Sequence, residues 1–128
     1  MDANVINVLL VDDDAEYSRV VGQFLQSFPG RKFNFTHQSN GDNVIGHLKK
    51  IPPTDIILLD YYLTSTTGLA IAKQIFGEGI SIPIILLTSS KDFRVAIAAI
   101  KDGIEDYVLK EDATETILPR TIISVLDR

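Results

Sequence analysis

Apolar, strand-like runs alternate with helical patterns along the whole chain, and this alternation limits the possible folds more than any other feature. Val5–Val11, Asp55–Leu59 and Ile82–Leu87 are nearly continuous in Val, Ile and Leu. Unbroken apolar strands of this kind are covered on both faces, as in a parallel sheet packed between helices. Lys32–Gln38 and Tyr107–Leu109 complete five candidate strands. In Lys32–Gln38, Phe33, Phe35 and His37 alternate with polar residues, which suits an edge position.

Helical candidates fill the intervals. Ala15–Phe28 presents Val20, Val21, Phe24, Leu25 and Phe28 on one face, with Asp14 placed to cap its start. Asp42–Lys50, Leu69–Phe76 before Gly77, and Asp92–Lys101 before Gly103 follow. A last helix spans about Glu115–Leu126 and contains Pro119. Proline beyond a helix's first turn loses a hydrogen bond and clashes with the preceding turn. That helix therefore either starts late, near Leu118, or kinks there. A βα unit repeated five times implies parallel strands joined by right-handed crossovers. The expected fold is α/β: a flavodoxin-like (βα)5 doubly wound sheet with strand order 2-1-3-4-5.

The 128 residues make one domain, and 45% hydrophobic content is enough for a core. Cysteine is absent, which fits a reducing cytoplasm. The opening MDANVINVLL has no basic segment before its apolar run and does not read as a signal peptide. No apolar stretch approaches the ~20 residues of a membrane span. A net charge of −5 argues against a surface for nucleic acid or anionic membrane. The sequence stops at Asp127–Arg128 inside a helical pattern, as expected of a domain taken from a longer protein. A short natural protein could also stop there.

In a parallel α/β sheet the downstream strand ends share one edge, where ligands bind. Asp12, Asp13, Asp60, Thr88 and Lys110 all fall at such ends. Adjacent carboxylates such as Asp12 and Asp13 repel unless a cation sits between them, so the pair is either a metal site or a pair of helix-capping acids. Asp14 is available for the cap. Asp60 is a metal ligand, a nucleophile forming an acyl phosphate, or a turn-starting acid. Thr88 offers a hydroxyl and Lys110 an ammonium to a phosphoryl oxygen; taken singly, each reads as an ordinary strand or surface residue. Their coincidence at strand ends points to a divalent metal and a phosphoryl group.

These residues carry a family resemblance over essentially the whole chain. VLLVDDD resembles the acid-pair motif of receiver domains in two-component response regulators, of the chemotaxis-receiver kind. DIILLDYYLTSTTG resembles the phosphoacceptor motif, IPIILLTSS the switch-threonine motif, and GIEDYVLK the lysine motif with its aromatic at Tyr107. The resemblance implies phosphoryl transfer from a histidine kinase or phosphotransfer protein onto Asp60. It implies Mg²⁺ held by Asp13, Asp60 and the Tyr62 carbonyl, and through water by Asp12. Lys110, Thr88 and the Ser89 amide would take phosphoryl oxygens. Inward movement of Thr88 and Tyr107 would then alter the surface of the fourth helix, fifth strand and fifth helix. Such a domain catalyses only its own phosphorylation and dephosphorylation. It controls an attached or partner output, in some cases through a homodimer.

Two positions depart from the family pattern: Thr64 and Glu111 stand where proline is usual. The resemblance therefore implies a looser Tyr61–Thr67 loop and a differently shaped Lys110 loop. The run DYVLKED, followed by a helix, resembles receivers attached to histidine kinases, sensory modules or cyclic-dinucleotide enzymes. Tyr62 and Ser90 occupy the positions bordering the phosphoryl group; the bulk of Tyr62 is expected to slow phosphate loss. His37 and His47 read as lying away from the site. Tyr61, Tyr62, Thr64, Ser65, Thr66 and Thr67 read as a polar site loop. Three other functions compete. A metal-dependent phosphohydrolase would use Asp12 and Asp14 but needs a substrate-covering cap, for which the chain has no spare length. A flavin binder needs a phosphate cradle that DDDAEYS does not provide. The last is a docking receiver that is never phosphorylated.

Overall fold

The computed structural model describes residues 4–89, Lys91 and 93–128, with the backbone alone at 93. Five strands, β1 (Val5–Val11), β2 (Lys32–Gln38), β3 (Ile56–Leu59), β4 (Ile84–Thr88) and β5 (Asp106–Leu109), alternate with α1 (Ala15–Gln26), α2 (Val44–Leu48), α3 (Gly68–Gly77), α4 (Phe93–Lys101) and α5 (Ile117–Leu126). The strands are parallel in the order 2-1-3-4-5, as the sequence pattern predicts.

The continuous apolar runs are divided by the pleat into two cores. Val8 and Leu10 of β1, Ile56 and Leu58 of β3, Ile85 and Leu87 of β4, and Val108 of β5 face one side, with Val21 and Leu25 of α1 and Leu118 and Ile122 of α5. Leu9, Val11, Ile57, Leu59, Ile84 and Leu86 face the other, with Val44 of α2, Ile71 and Ile75 of α3, and Ala99 of α4. Each fully buried Leu or Ile contributes about 1.5–3 kcal/mol of transfer free energy. β2 is the expected edge: Phe33 and Phe35 pack on the α1–α5 side, and Asn34 and Thr36 are exposed.

Local chemistry sets the element ends. Asp14 caps α1 by accepting from the Tyr17 amide at 3.0 Å, and Thr67 caps α3 by accepting from the Ala70 amide at 3.2 Å. Pro119 is the third residue of α5, in the first turn where its missing N–H costs no helical bond. The start at Ile117 decides between the two readings of that helix: it begins late. Thr114 Oγ1 accepts from the Ile117 amide at 3.0 Å just before it. α2 is shorter than the predicted Asp42–Lys50, because the turn through Gly41–Asn43 precedes it. The predicted start of α4 at Asp92 lies outside the described residues. Among the described residues, no helix is long and apolar enough to cross a membrane.

Candidate functional site

The sheet's downstream edge gathers the predicted acids. Main-chain bonds continue past the strand ends and fix two of them: the Asp12 amide donates to the Gln38 carbonyl and the Asp60 amide to the Val11 carbonyl, both at 3.0 Å. Carboxylate oxygens of Asp12, Asp13 and Asp60 lie within 4.8 Å of one another. Asp12 is fully buried and Asp60 is 5% exposed, while Asp13 opens to solvent.

Each acid is oriented differently. Asp12 Oδ1 accepts from the Asp14 amide at 2.9 Å, which turns Oδ2 toward Lys110. Lys110 Nζ lies 2.7 Å from Asp12 Oδ2 and 3.4 Å from Asp60 Oδ2, so the ammonium rests nearer the buried member of the acid pair than the predicted acceptor. The closer contact is an ion pair, and the longer one to Asp60 is a hydrogen bond donated by Lys110. Asp13 Oδ2 accepts from Thr64 Oγ1 at 2.7 Å. Burial and the neighbouring Asp12 raise the Asp60 pKa above the usual carboxylate value, against the pull of Lys110. Burial works against the Lys110 ammonium, yet Asp12 and Asp60 outweigh it and its pKa rises.

Thr88 closes β4 fully buried, and Ser89 follows it exposed. Tyr107 is half-buried, packed against the core on the α3–α4 side. Tyr62 is 56% exposed, and its ring meets that of Tyr61 edge-on, with centroids 4.6 Å apart. Ser90 lies outside the described residues. The Tyr61–Thr67 loop has a set of ties that offset its missing proline. The Gly68 amide donates to the Tyr61 carbonyl at 2.7 Å, Leu63 donates to Thr66 at 3.1 Å, and Tyr62 bridges Thr67. The corner after β5 is a short 3-10 turn, Lys110–Asp112, and Glu111 reaches Lys91 at 2.9 Å.

Two neighbours of the site escaped sequence reasoning. His37 is close to the site, not away from it: its Nε2 lies 2.7 Å from the Asp12 carbonyl oxygen. A carbonyl only accepts, so Nε2 carries the proton. Its place at the penultimate position of β2, beside Leu10 of β1, was the available signal. Tyr17 stands on α1 with the Lys110 ammonium over its ring. His47 remains on α2.

A cluster of three carboxylates, two of them buried and held at the sheet edge, fits a hard divalent cation. Three carboxylates against one ammonium leave two negative charges for such an ion to balance.

Comparison with known proteins agrees with this geometry. The family model described as the response regulator receiver domain matches residues 8–121. This chain belongs to that family. It is therefore a receiver domain of two-component systems. The receiver is 32% identical over 123 residues to a protein-glutamate methylesterase/protein-glutamine glutaminase of Treponema pallidum, covering 94% of this chain and 30% of that protein. It is 27% identical to the transcriptional regulatory protein BaeR of Escherichia coli, covering 94% of this chain and 48% of BaeR. The receiver thus spans 30% and 48% of the length of these two curated relatives. The signal receiver domain of a LuxO repressor protein from Vibrio parahaemolyticus superposes with a TM-score of 0.84 at 23% identity, covering 96% of this chain and 91% of that one. The BeF3-activated N-terminal receiver domain of RstA from Klebsiella pneumoniae superposes with a TM-score of 0.79 at 24% identity, covering 93% and 97%. Both structural likenesses are likenesses of fold.

Proposed function

We propose that this receiver accepts a phosphoryl group on Asp60 in the presence of Mg²⁺ and uses it to switch the surface formed by α4, β5 and α5. The observation that most supports this reading is the cluster itself: three carboxylates within 4.8 Å, with Lys110 across two of them. In the transfer, an Asp60 carboxylate oxygen bonds to phosphorus while the phosphorus–nitrogen bond of a donor phosphohistidine breaks. The donor ring nitrogen keeps the electron pair and is protonated.

Asp12, Asp13 and Asp60, with the Tyr62 carbonyl, would hold the cation. Mg²⁺, when bound, screens the acids from the incoming anion. Lys110 leaves Asp12 for a phosphoryl oxygen, so the ion pair at 2.7 Å is the resting contact that phosphorylation replaces. The Thr88 hydroxyl and the Ser89 amide take the remaining oxygens. Tyr107 follows Thr88 inward, and the new dianion shifts the population toward the switched surface.

The donor is a histidine kinase or a phosphotransfer protein in the cytoplasm. The output lies in an attached domain or a partner, with homodimerisation as one route to it. Relatives of which the match covers only 30% and 48% fit an attached output. Chemistry within the domain is limited to its own phosphorylation and dephosphorylation. The test is labelling by acetyl phosphate, read by intact mass. Labelling requires Mg²⁺ and is lost in Asp60→Asn; labelling that persists in Asp60→Asn, or with the divalent ion chelated, overturns the reading.

A further inference from the structure

Lys110 is held at both ends by one aromatic residue from a different part of the chain. Its ammonium lies over the Tyr17 ring, 4.6 Å from the centroid, inside the range of a cation–π contact. The Tyr17 hydroxyl reaches the Lys110 main-chain carbonyl at 3.5 Å. Tyr17 is fixed in turn, because its amide donates to the Asp14 cap at 3.0 Å and its ring packs against the core shared by α1 and α5. Burial, with Asp12 and Asp60 close by, raises the phenol pKa, so the ring stays neutral and keeps its donor at physiological pH.

The surroundings give this contact a task. Glu111 follows the lysine where the family has proline, and the corner is a three-residue 3-10 turn. A four-carbon side chain leaving such a corner has large rotamer freedom. The ring below it and the carboxylates of Asp12 and Asp60 beside it, at 2.7 and 3.4 Å, limit the ammonium to a short path between the two acids.

We propose that Tyr17 is a positioning residue for Lys110, holding the lysine corner and its ammonium so that the charge is already in place when a phosphoryl oxygen arrives. This rests on the phosphoacceptor reading for its kinetic consequence, but not for its geometry. The geometry has its own readout in the metal-free protein: ring current from Tyr17 moves the Lys110 ε-methylene proton resonances upfield of their random-coil position.

The experiment compares the wild-type protein with Tyr17→Phe and Tyr17→Leu. Each is assigned by NMR without metal and then labelled with acetyl phosphate at saturating Mg²⁺. Tyr17→Phe keeps the ring-current shift and labels within about threefold of wild type. Tyr17→Leu loses the shift and labels roughly three- to thirtyfold more slowly, the span of one cation–π contact. Lys110 ε-protons at random-coil positions in the wild type overturn the proposal. So does a Tyr17→Leu protein that labels at the wild-type rate. If Tyr17→Leu does not fold, the wild-type shift and its retention in Tyr17→Phe still decide the geometry. A wild-type protein that shows the shift but takes no phosphate refutes the phosphoacceptor reading and leaves the Tyr17–Lys110 contact standing.

Discussion

Gly68 controls the position of the acceptor strand, and Gly68→Ala tests how tightly. Gly68 is buried at the start of α3, directly against the main chain that carries Asp60. A Cβ there would overlap the Asp60 carbonyl oxygen, and would lie 3.0 Å from the Asp60 carbonyl carbon and 3.2 Å from the Tyr61 Cα. These are backbone atoms, so no rotamer change can relieve the clash. The same amide donates to the Tyr61 carbonyl at 2.7 Å, so α3 cannot retreat without losing that bond. Overpacking of this kind costs about 1–3 kcal/mol, and a backbone target puts Gly68→Ala at about 3 kcal/mol. In urea that lowers the midpoint by roughly 1.5 M, with an m-value near 2 kcal/mol/M. In a thermal scan it lowers Tm by about 10 °C. Gly46→Ala is the internal control. Gly46 is exposed within α2 and has nothing within 4 Å of a built Cβ. There alanine gains about 0.5–1 kcal/mol from helix propensity. Mg²⁺ titration followed by tyrosine fluorescence reports the site, and weakens in Gly68→Ala but not in Gly46→Ala. A Gly68→Ala protein within about 0.5 kcal/mol of wild type, the range of an inert surface change, would refute the argument.

Thr64→Val removes the donor at 2.7 Å from Asp13 Oδ2 while keeping the side chain's shape. Mg²⁺ affinity measured calorimetrically falls roughly tenfold, and Thr64→Ser restores it; unchanged or tighter binding refutes the role. Tyr62→Asn replaces the exposed ring beside Tyr61 with a smaller side chain, and the phosphorylated protein loses phosphate roughly two- to tenfold faster. Equal lifetimes in a chase after donor removal would sink that expectation. Because the folded-state pKa of Asp60 is raised, its favourable contribution is present below the unfolded carboxylate pKa and lost as pH rises through the folded value. Metal-free Asp60→Asn is therefore more stable than wild type at neutral pH, and the difference shrinks in acid. Urea midpoints at the two pH values check this, and a gap that widens in acid contradicts it. Lys110, also raised, contributes below its unfolded pKa and loses that contribution as pH rises through the folded value. Lys110→Met therefore flattens the alkaline fall in Tm.

The sheet was legible because its strands state their own environment. IILL in β3 and IILLT in β4 are buried at every position, which only a strand covered on both faces requires. Once the strands are parallel, the positions of Asp12, Asp60, Thr88 and Lys110 follow from chain direction alone. The contacts that depend on loop path were not legible. Tyr17 reads as an ordinary residue on the first turn of an amphipathic helix. Only the register of α1 against the end of β5, residues 93 positions apart, brings it to Lys110. Likewise Thr64 reaches Asp13 through the path of the Tyr61–Thr67 loop, across 51 residues. His37 alternates with Phe33 and Phe35 and so reads as part of the edge-strand face, but its ring turns onto the Asp12 carbonyl because β2 ends level with β1.

The resting arrangement has a physical logic that connects the burial to the chemistry. Among the described residues Asp12 is the most buried acid, and it pairs with the Lys110 ammonium at 2.7 Å. A buried ion pair adds little net stability, because desolvation offsets its attraction, but removing either partner leaves a charge that the interior cannot solvate. The ammonium therefore rests closer to Asp12 than to Asp60, whose Oδ2 accepts its hydrogen bond at the longer distance of 3.4 Å. Burial and the neighbouring Asp12 keep the Asp60 pKa raised in this resting arrangement. On the proposed reading, the three carboxylates would hold a divalent cation supplying the two missing positive charges, and Lys110 would no longer be needed to balance Asp12. The lysine can then move along the Tyr17 ring toward the new anion without first breaking a strong contact to the acceptor. Were the 2.7 Å contact made to Asp60 instead of Asp12, phosphoryl transfer would have to break that shorter ion pair; as it is, Lys110 engages Asp60 only through Oδ2 at 3.4 Å.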